Sequence, residues 1–128
     1  QVCSWASLTA SDYLLLPLQA EDFGSQGIKP VLRCVESVRA SFNPRLETLG
    51  LLLTMYDSRL GIHKAYETHL REAFGDLIFE NVFPAAKDFK EAVVARTPVS
   101  WYKPKGAATK ALALVSEEIV RRSQAVAV

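Results

Sequence analysis

The sequence predicts an α/β fold, part of a doubly wound, mostly parallel sheet with flanking helices. Three observations carry that expectation. Short continuous apolar runs begin at Tyr13 ("YLLLPL"), Thr48 ("TLGLLL") and Leu77 ("LIFENVF"), and unbroken apolar character is what a strand covered on both faces shows. Segments with apolar residues at helical spacing separate and follow these runs. The resulting order, strand and helix in alternation three times over, favours parallel pairing through crossover connections.

Each element has its own warrant. In the first helix Ile28, Val31, Leu32, Val35 and Val38 fall on one stripe, and Pro30 lies near the start, where its missing N–H costs least. Asn43 and Pro44 lie beyond its end. In the second, Ile62, Tyr66, Leu70 and Phe74 form the stripe, and Gly75 stands where a left-handed cap would close it. In the long C-terminal helix the stripe is Leu112, Val115 and Ile119, with Arg121 and Arg122 expected near the helix's negative end. Trp101 and Tyr102, between Pro98 and Pro104, are expected to pack as a lid on the core, with base stacking as the other use of such rings. Three strands are few for an open sheet, and the pattern predicts further sheet before Gln1.

The composition, 49% apolar and 23% charged over 128 residues, fits one globular domain spanning 1–128. No apolar run approaches bilayer length, and "QVCSWASLTASD" lacks the basic start and long apolar stretch of a signal peptide, so a cytosolic protein is expected. Cys3 and Cys34 lie too far apart for a paired metal motif and are expected to be reduced thiols with no chemistry assigned. His63 and His69 fall on different faces of a helix, which argues against a shared metal. Ser4, Ser7 and Ser11 have no nearby histidine and no G-x-S-x-G elbow, so serine-hydrolase chemistry is not supported.

In an open parallel sheet, function lies in the loops after the carboxyl ends of strands. "PLQAEDFG", "TMYDSR" and "FPAAKDFKEA" all follow predicted strands and would meet at one edge. Polar loops are also common without any shared role. Neither G-x-x-x-x-G-K-[ST] nor G-x-G-x-x-G occurs, so these residues carry no recognisable loop to cradle a triphosphate.

Charge is unevenly spread. From Lys87 to Lys110 six basic residues, Lys87, Lys90, Arg96, Lys103, Lys105 and Lys110, stand against Asp88 and Glu91, giving +4. The whole chain carries +1, which leaves −3 elsewhere. A basic face on an otherwise acidic domain suits phosphate neutralisation without sequence readout, although a solvated surface has the same composition.

"SLTASDYLLLPLQAEDFGSQGI", "NPRLETLGLLLTMYDSR" and "FGDLIFENVFP" together resemble the carboxyl-terminal half of the ParA family of chromosome and plasmid partition ATPases, relatives of MinD. The resemblance runs in order over nearly the whole chain and is most specific at "PLQAEDF" and "LLTMYDSR". It implies a P-loop NTPase fold lacking its amino-terminal half, and an intact protein that forms a homodimer around ATP and Mg2+. It further implies nonspecific DNA binding by that dimer, stimulation by a centromere-binding ParB-like partner, and a cytoplasmic, nucleoid-associated location with no membrane partner. The family's Walker A lysines and its catalytic and magnesium-binding aspartates would lie before Gln1. This chain alone is therefore expected to hold neither ATP nor Mg2+ tightly and to contain no catalytic residue.

By the same resemblance Thr54 lines the base pocket, Asp57 ends that element, and Pro84 precedes the loop that passes over the adenine. Ala85 and Ala86 stand where the family commonly has arginine and asparagine, which leaves contact there to the main chain. Arg59 matches the family arginine after "MYDS" that takes part in DNA binding. Asp88 occupies the place of a second such arginine, with Lys87 and Lys90 beside it. The expected DNA-binding set is Arg59, Lys87, Lys90, Arg96, Lys103 and Lys105. Two function classes follow: a partition ATPase, or a noncatalytic DNA-binding or dimerisation fragment without a P-loop.

Overall fold

A computed structural model describes residues 2–20 and 25–126. Helix α1 (Val2–Ala10) leads into strand β1 (Tyr13–Gln19), helix α2 (Ser25–Ser41) and strand β2 (Glu47–Thr54). Helix α3 (Gly61–Phe74) follows, then a 3-10 turn (Gly75–Leu77), helix α4 (Lys87–Val94), the short helix α5 (Val99–Tyr102) and helix α6 (Ala107–Val126). The two strands pair in parallel, as their continuous apolar character predicts, with α2 as the crossover.

The register explains how β2 is covered on both faces. Tyr13 pairs with Glu47 and Gln19 with Thr54, but the pairing slips between Leu14 and Leu15, so that Leu49 is an extra residue in β2. Because of that bulge, Leu49 and Leu52, three positions apart, share the cluster formed with Phe79 and Val115. Leu51 and Leu53 point the other way, into the cluster of Ala20, Ile28, Tyr56, Leu70 and Ile78. A third cluster, Val35, Val38 and Leu46, closes the end of α2. There Asn43 donates from Nδ2 to the Leu8 and Ser11 carbonyls at 3.1 and 2.7 Å, tying the helix end to α1.

Several helical expectations need correction. Ile62 is 67% exposed and Val31 is also exposed, whereas His63 is buried. Adjacent positions differ by about 100° around a helix, and the Asp57 amide donates to His63 Nδ1 at 2.9 Å, which turns that residue inward and Ile62 out. Gly75 does close α3 with positive φ, but at φ 52°, ψ −127° rather than left-handed helical geometry, a region suited to glycine. Helix α6 runs on to Val126, so Arg121 and Arg122 precede its last turn and do not cap it.

The expected strand 77–83 is not formed. Two isolated parallel bridges, Leu51 with Ile78 and Tyr56 with Pro84, are all that remains of it. The Phe79 amide donates to the Leu51 carbonyl at 2.9 Å and the Phe83 amide to the Leu53 carbonyl at 2.7 Å. Donors four residues apart thus address acceptors two apart, and two extra residues loop out. Glu118 takes up the amides this leaves: Oε1 accepts from the Glu80 N–H at 2.8 Å, and Oε2 from the Asn81 N–H at 2.9 Å and from Asn81 Nδ2 at 2.8 Å.

Glu118 is 2% exposed and also pairs with Arg122 at 2.9 Å. Arg122 in turn donates to the carbonyls of Leu49, Asp76 and Ile78 at 2.9–3.0 Å and lies over the Phe79 ring. Gly50 makes room for it. At φ 142° a Cβ there would lie 3.0 Å from Arg122 Nη1 and from the Phe79 ring, and closer still to the Leu77 carbonyl. Burial pushes the Glu118 carboxyl up, but the Asn81 and Glu80 amides, the Asn81 carboxamide and Arg122 outweigh it and hold the group below the usual carboxylate range. Its contribution to stability is therefore present above the unfolded pKa and lost as pH falls through the folded one.

Glu118→Ala should lower unfolding free energy by about 3–5 kcal/mol, because it leaves the half-buried Arg122 without its carboxylate and three donors without their acceptor. Glu118→Gln, which keeps an acceptor, should lose less. Urea denaturation of the three proteins measures this, and a loss below about 1 kcal/mol for the alanine variant, the size seen for surface pairs, would contradict the account.

Candidate functional site

The carboxyl end of β2 is where the expected site residues gather. Thr54 pairs with Gln19, and its hydroxyl donates to the Leu18 carbonyl at 3.1 Å. Met55 then takes φ 53°, unusual for a non-glycine residue, which turns the chain out of the strand. Tyr56 restores contact on both sides: its N–H donates to Phe83 O at 3.1 Å, and its carbonyl accepts from the Ala85 N–H at 2.9 Å. Thr54, Asp57 and Pro84 therefore lie within one or two residues of the Tyr56–Pro84 bridge. Of the stretch expected after β1, residues 21–24 lie outside the described residues.

Asp57 and Arg59 form one unit. Arg59 Nε donates to Oδ1 at 2.9 Å and Nη2 to Oδ2 at 2.7 Å, while the Arg59 amide donates to Oδ1 at 3.0 Å. These hydrogen bonds hold the Asp57 carboxyl well below the usual carboxylate range and raise the Arg59 guanidinium further above its own.

Beneath this turn, α3 supplies a polar row at i, i+4 and i+8. His63 accepts from the Asp57 amide, Glu67 accepts from the Tyr56 hydroxyl at 2.5 Å, and Arg71 pairs with Glu67 while donating to the Phe79 and Glu80 carbonyls. Sequence reasoning weighed His63 only as a metal ligand and missed Glu67 and Arg71. The signal was the spacing of His63, Glu67 and Arg71 beside the apolar stripe.

The basic window is less uniform than its composition. The stretch after Pro84, expected to be loop, is helical from Lys87, and stacking of Phe83 on Phe89 at 4.6 Å fastens α4 to the edge. Lys103 donates to Asp88 and Glu91 at 2.7 and 2.9 Å, which raises its ammonium well above the usual lysine range and holds Glu91 low. Lys87 lies 3.5 Å from Glu91. Lys90, Arg96, Lys105 and Lys110 are exposed and enter no ion pair with another described residue. Arg59 and Lys87 each lie three residues from the Tyr56–Pro84 bridge, whereas Arg96 follows the far end of α4. Trp101 is 78% exposed, contrary to a role as a lid. Among the described residues no three His, Cys, Asp or Glu side chains are grouped to hold a metal, and no helix is long and apolar enough to cross a membrane.

A chromosome partitioning protein ParA from Caulobacter vibrioides is 36% identical over 118 residues, which cover 92% of this chain and 44% of that protein. Over nearly all of its length the chain is similar to chromosome-partitioning proteins of the ParA type. A ParA relative from Thermus thermophilus, the chromosome-partitioning ATPase Soj, is 34% identical over 92% of this chain and 47% of its own length. The chain thus spans about half the length of the ParA relatives it matches. No family model matches it. A crystal structure of cobyrinic acid a,c-diamide synthase from Mycobacterium smegmatis with bound ADP and magnesium superposes with a TM-score of 0.56 at 25% identity, over 77% of this chain and 42% of that one. A structure of the same enzyme with an ATP analog and magnesium gives 0.57. The expected α/β architecture of P-loop ATPases thus agrees with the fold of this chain.

Burial, then the bond to Glu67, raise the Tyr56 hydroxyl from 10.0 to about 12. A raised folded pKa means that stabilisation is full below pH 10 and lost as pH rises toward 12. In an absorbance titration Tyr56 should ionise late, and Tyr56→Phe should remove its share of the late absorbance change and flatten the fall in stability. A wild-type titration that completes near pH 10 would contradict the Tyr56–Glu67 bond.

Proposed function

We propose that the intact protein is a ParA-like partition ATPase in chromosome or plasmid segregation, cytoplasmic and nucleoid-associated. It acts as a homodimer held by ATP and Mg2+, binds DNA without sequence preference, and is stimulated by a ParB-like centromere-binding partner. The observation that carries this reading is the 36% identity to the Caulobacter protein over 118 residues, a span that includes the edge at Thr54, Asp57 and Pro84.

The residues present fit one end of a nucleotide. Thr54, whose hydroxyl oxygen can still accept while it donates to the Leu18 carbonyl, lies at the edge where a base would lie, and Asp57 fixes the turn there. Ala85, whose amide bonds Tyr56, leaves side-chain readout of the base aside. The triphosphate and metal require a phosphate-cradling loop, a lysine and carboxylates, and no P-loop motif occurs in these 128 residues. ATP supplies the energy of the dimer cycle, while this chain's residues orient the base and carry the DNA contact.

DNA phosphates would be met by Arg59, Lys87, Lys90, Arg96 and Lys105, with Lys103 contributing less because Asp88 and Glu91 already neutralise it.

Two measurements test the reading. The purified 128-residue chain should not turn over ATP, whereas the intact protein should, and turnover by the chain above a buffer blank would overturn the division of labour. In the intact protein with ATP, Arg59→Ala and Lys90→Ala should each flatten the dependence of log affinity on log salt by about one unit, equally on unrelated DNA sequences. Unchanged slopes would return these cations to the solvated surface.

A further inference from the structure

Resting on the proposed phosphate contact of Arg59, we propose that Asp57 is a positioning residue for it, a carboxylate latch that holds the guanidinium and gives it up to a DNA phosphate. The geometry is that of exchange. Both carboxylate oxygens of Asp57 are taken by one arginine, at 2.9 and 2.7 Å from Nε and Nη2. A phosphate presents the same two-oxygen face to the same fork.

The two partners differ in freedom. The Arg59 side chain is 87% exposed and the Asp57 side chain 20%. Asp57 is anchored through its own backbone, with its N–H donated to His63 Nδ1 at 2.9 Å and its carbonyl accepting from the Leu60 amide at 3.1 Å. On the strand side Tyr56 is bonded to both Phe83 and Ala85. The guanidinium can therefore swing out while the carboxylate stays. An exposed ion pair in water is weak enough for a polyanion to displace it. Asp57 presets the arginine's direction at the rim of the edge, and its negative charge keeps isolated anions from occupying the fork. A dense phosphate array, whose local potential is far larger, can take it.

The test is a double-mutant comparison in the intact protein, ATP-loaded and nucleotide-free, using fluorescent duplex DNA over a salt series. Asp57→Asn keeps the shape and one acceptor oxygen but removes the charge. It should tighten DNA binding by roughly two- to fivefold in both states and steepen the salt slope by up to about one unit, with thermal stability close to wild type. In an Arg59→Ala background the same change should have no such effect, because Asp57 acts through Arg59. Equal tightening in both backgrounds would reduce Asp57 to general repulsion and overturn the latch. So would an unchanged or weaker affinity of Asp57→Asn in both nucleotide states. If Arg59→Ala alone leaves the slope at the wild-type value, the phosphate role of Arg59 fails and the latch with it. A flattened slope without a gain from Asp57→Asn overturns the latch alone.

Discussion

The buried Glu118–Arg122 pair on α6 is the interaction on which the candidate site depends. Segment 77–83 is too irregular to be held by β2 alone, since only the Phe79 and Phe83 amides reach the carbonyls of Leu51 and Leu53. Open amides in a half-buried loop would be costly, and Glu118 satisfies the two that the bulge removes from the ladder. Arg122 then balances the carboxylate and satisfies three carbonyls from β2 and the 3-10 turn region. Gly50, with its positive φ and no side chain, lets the guanidinium reach the sheet. With this clamp in place, Phe83, Pro84 and Ala85 lie alongside Tyr56, and the edge has a fixed shape.

At that edge geometry is set mainly by the main chain, and charge by a few local pairs. The row His63, Glu67 and Arg71 on α3 ties the turn after β2 to the same segment that α6 holds from the other side, since Arg71 reaches the Phe79 and Glu80 carbonyls. Two charged networks, one from each covering helix, thus converge on residues 79–81. The basic window is partly neutralised by its own acids. Lys103 serves to join α4 to the α5 region, and the cations left for a polyanion are those on the exposed rim.

The sequence made β1 and β2 legible because a continuous apolar run bounded by polar residues has few other uses in a chain this short. The stripe of α2 was legible for the same reason, apart from Val31 at its margin. Segment 77–83 has the same apolar signature as a strand, but its conformation is decided by Glu118, more than thirty positions away, and no local pattern records that. The inward face of α3 was misread by one residue because a polar side chain, His63, is buried for the hydrogen bond it accepts and not for its hydrophobicity. The eight-residue helix α4 was too short to show a period beside its proline. Trp101 looked like core by type, yet the short helix α5 buries Val99 and leaves the indole outside. Of the site, Thr54, Asp57 and Pro84 were placed at one edge by fold logic and by family resemblance together. The pairing of Asp57 with Arg59 needed coordinates.

The most direct test of the clamp is amide hydrogen exchange resolved by residue. If α6 holds the bulge, the Glu80 and Asn81 amides should be protected to the same degree as those of Phe79 and Phe83, whose acceptors are β2 carbonyls, because all four would open in one step. Exchange of Glu80 and Asn81 at the rate of solvated turn amides, with Phe79 and Phe83 still protected, would contradict the central role assigned to Glu118.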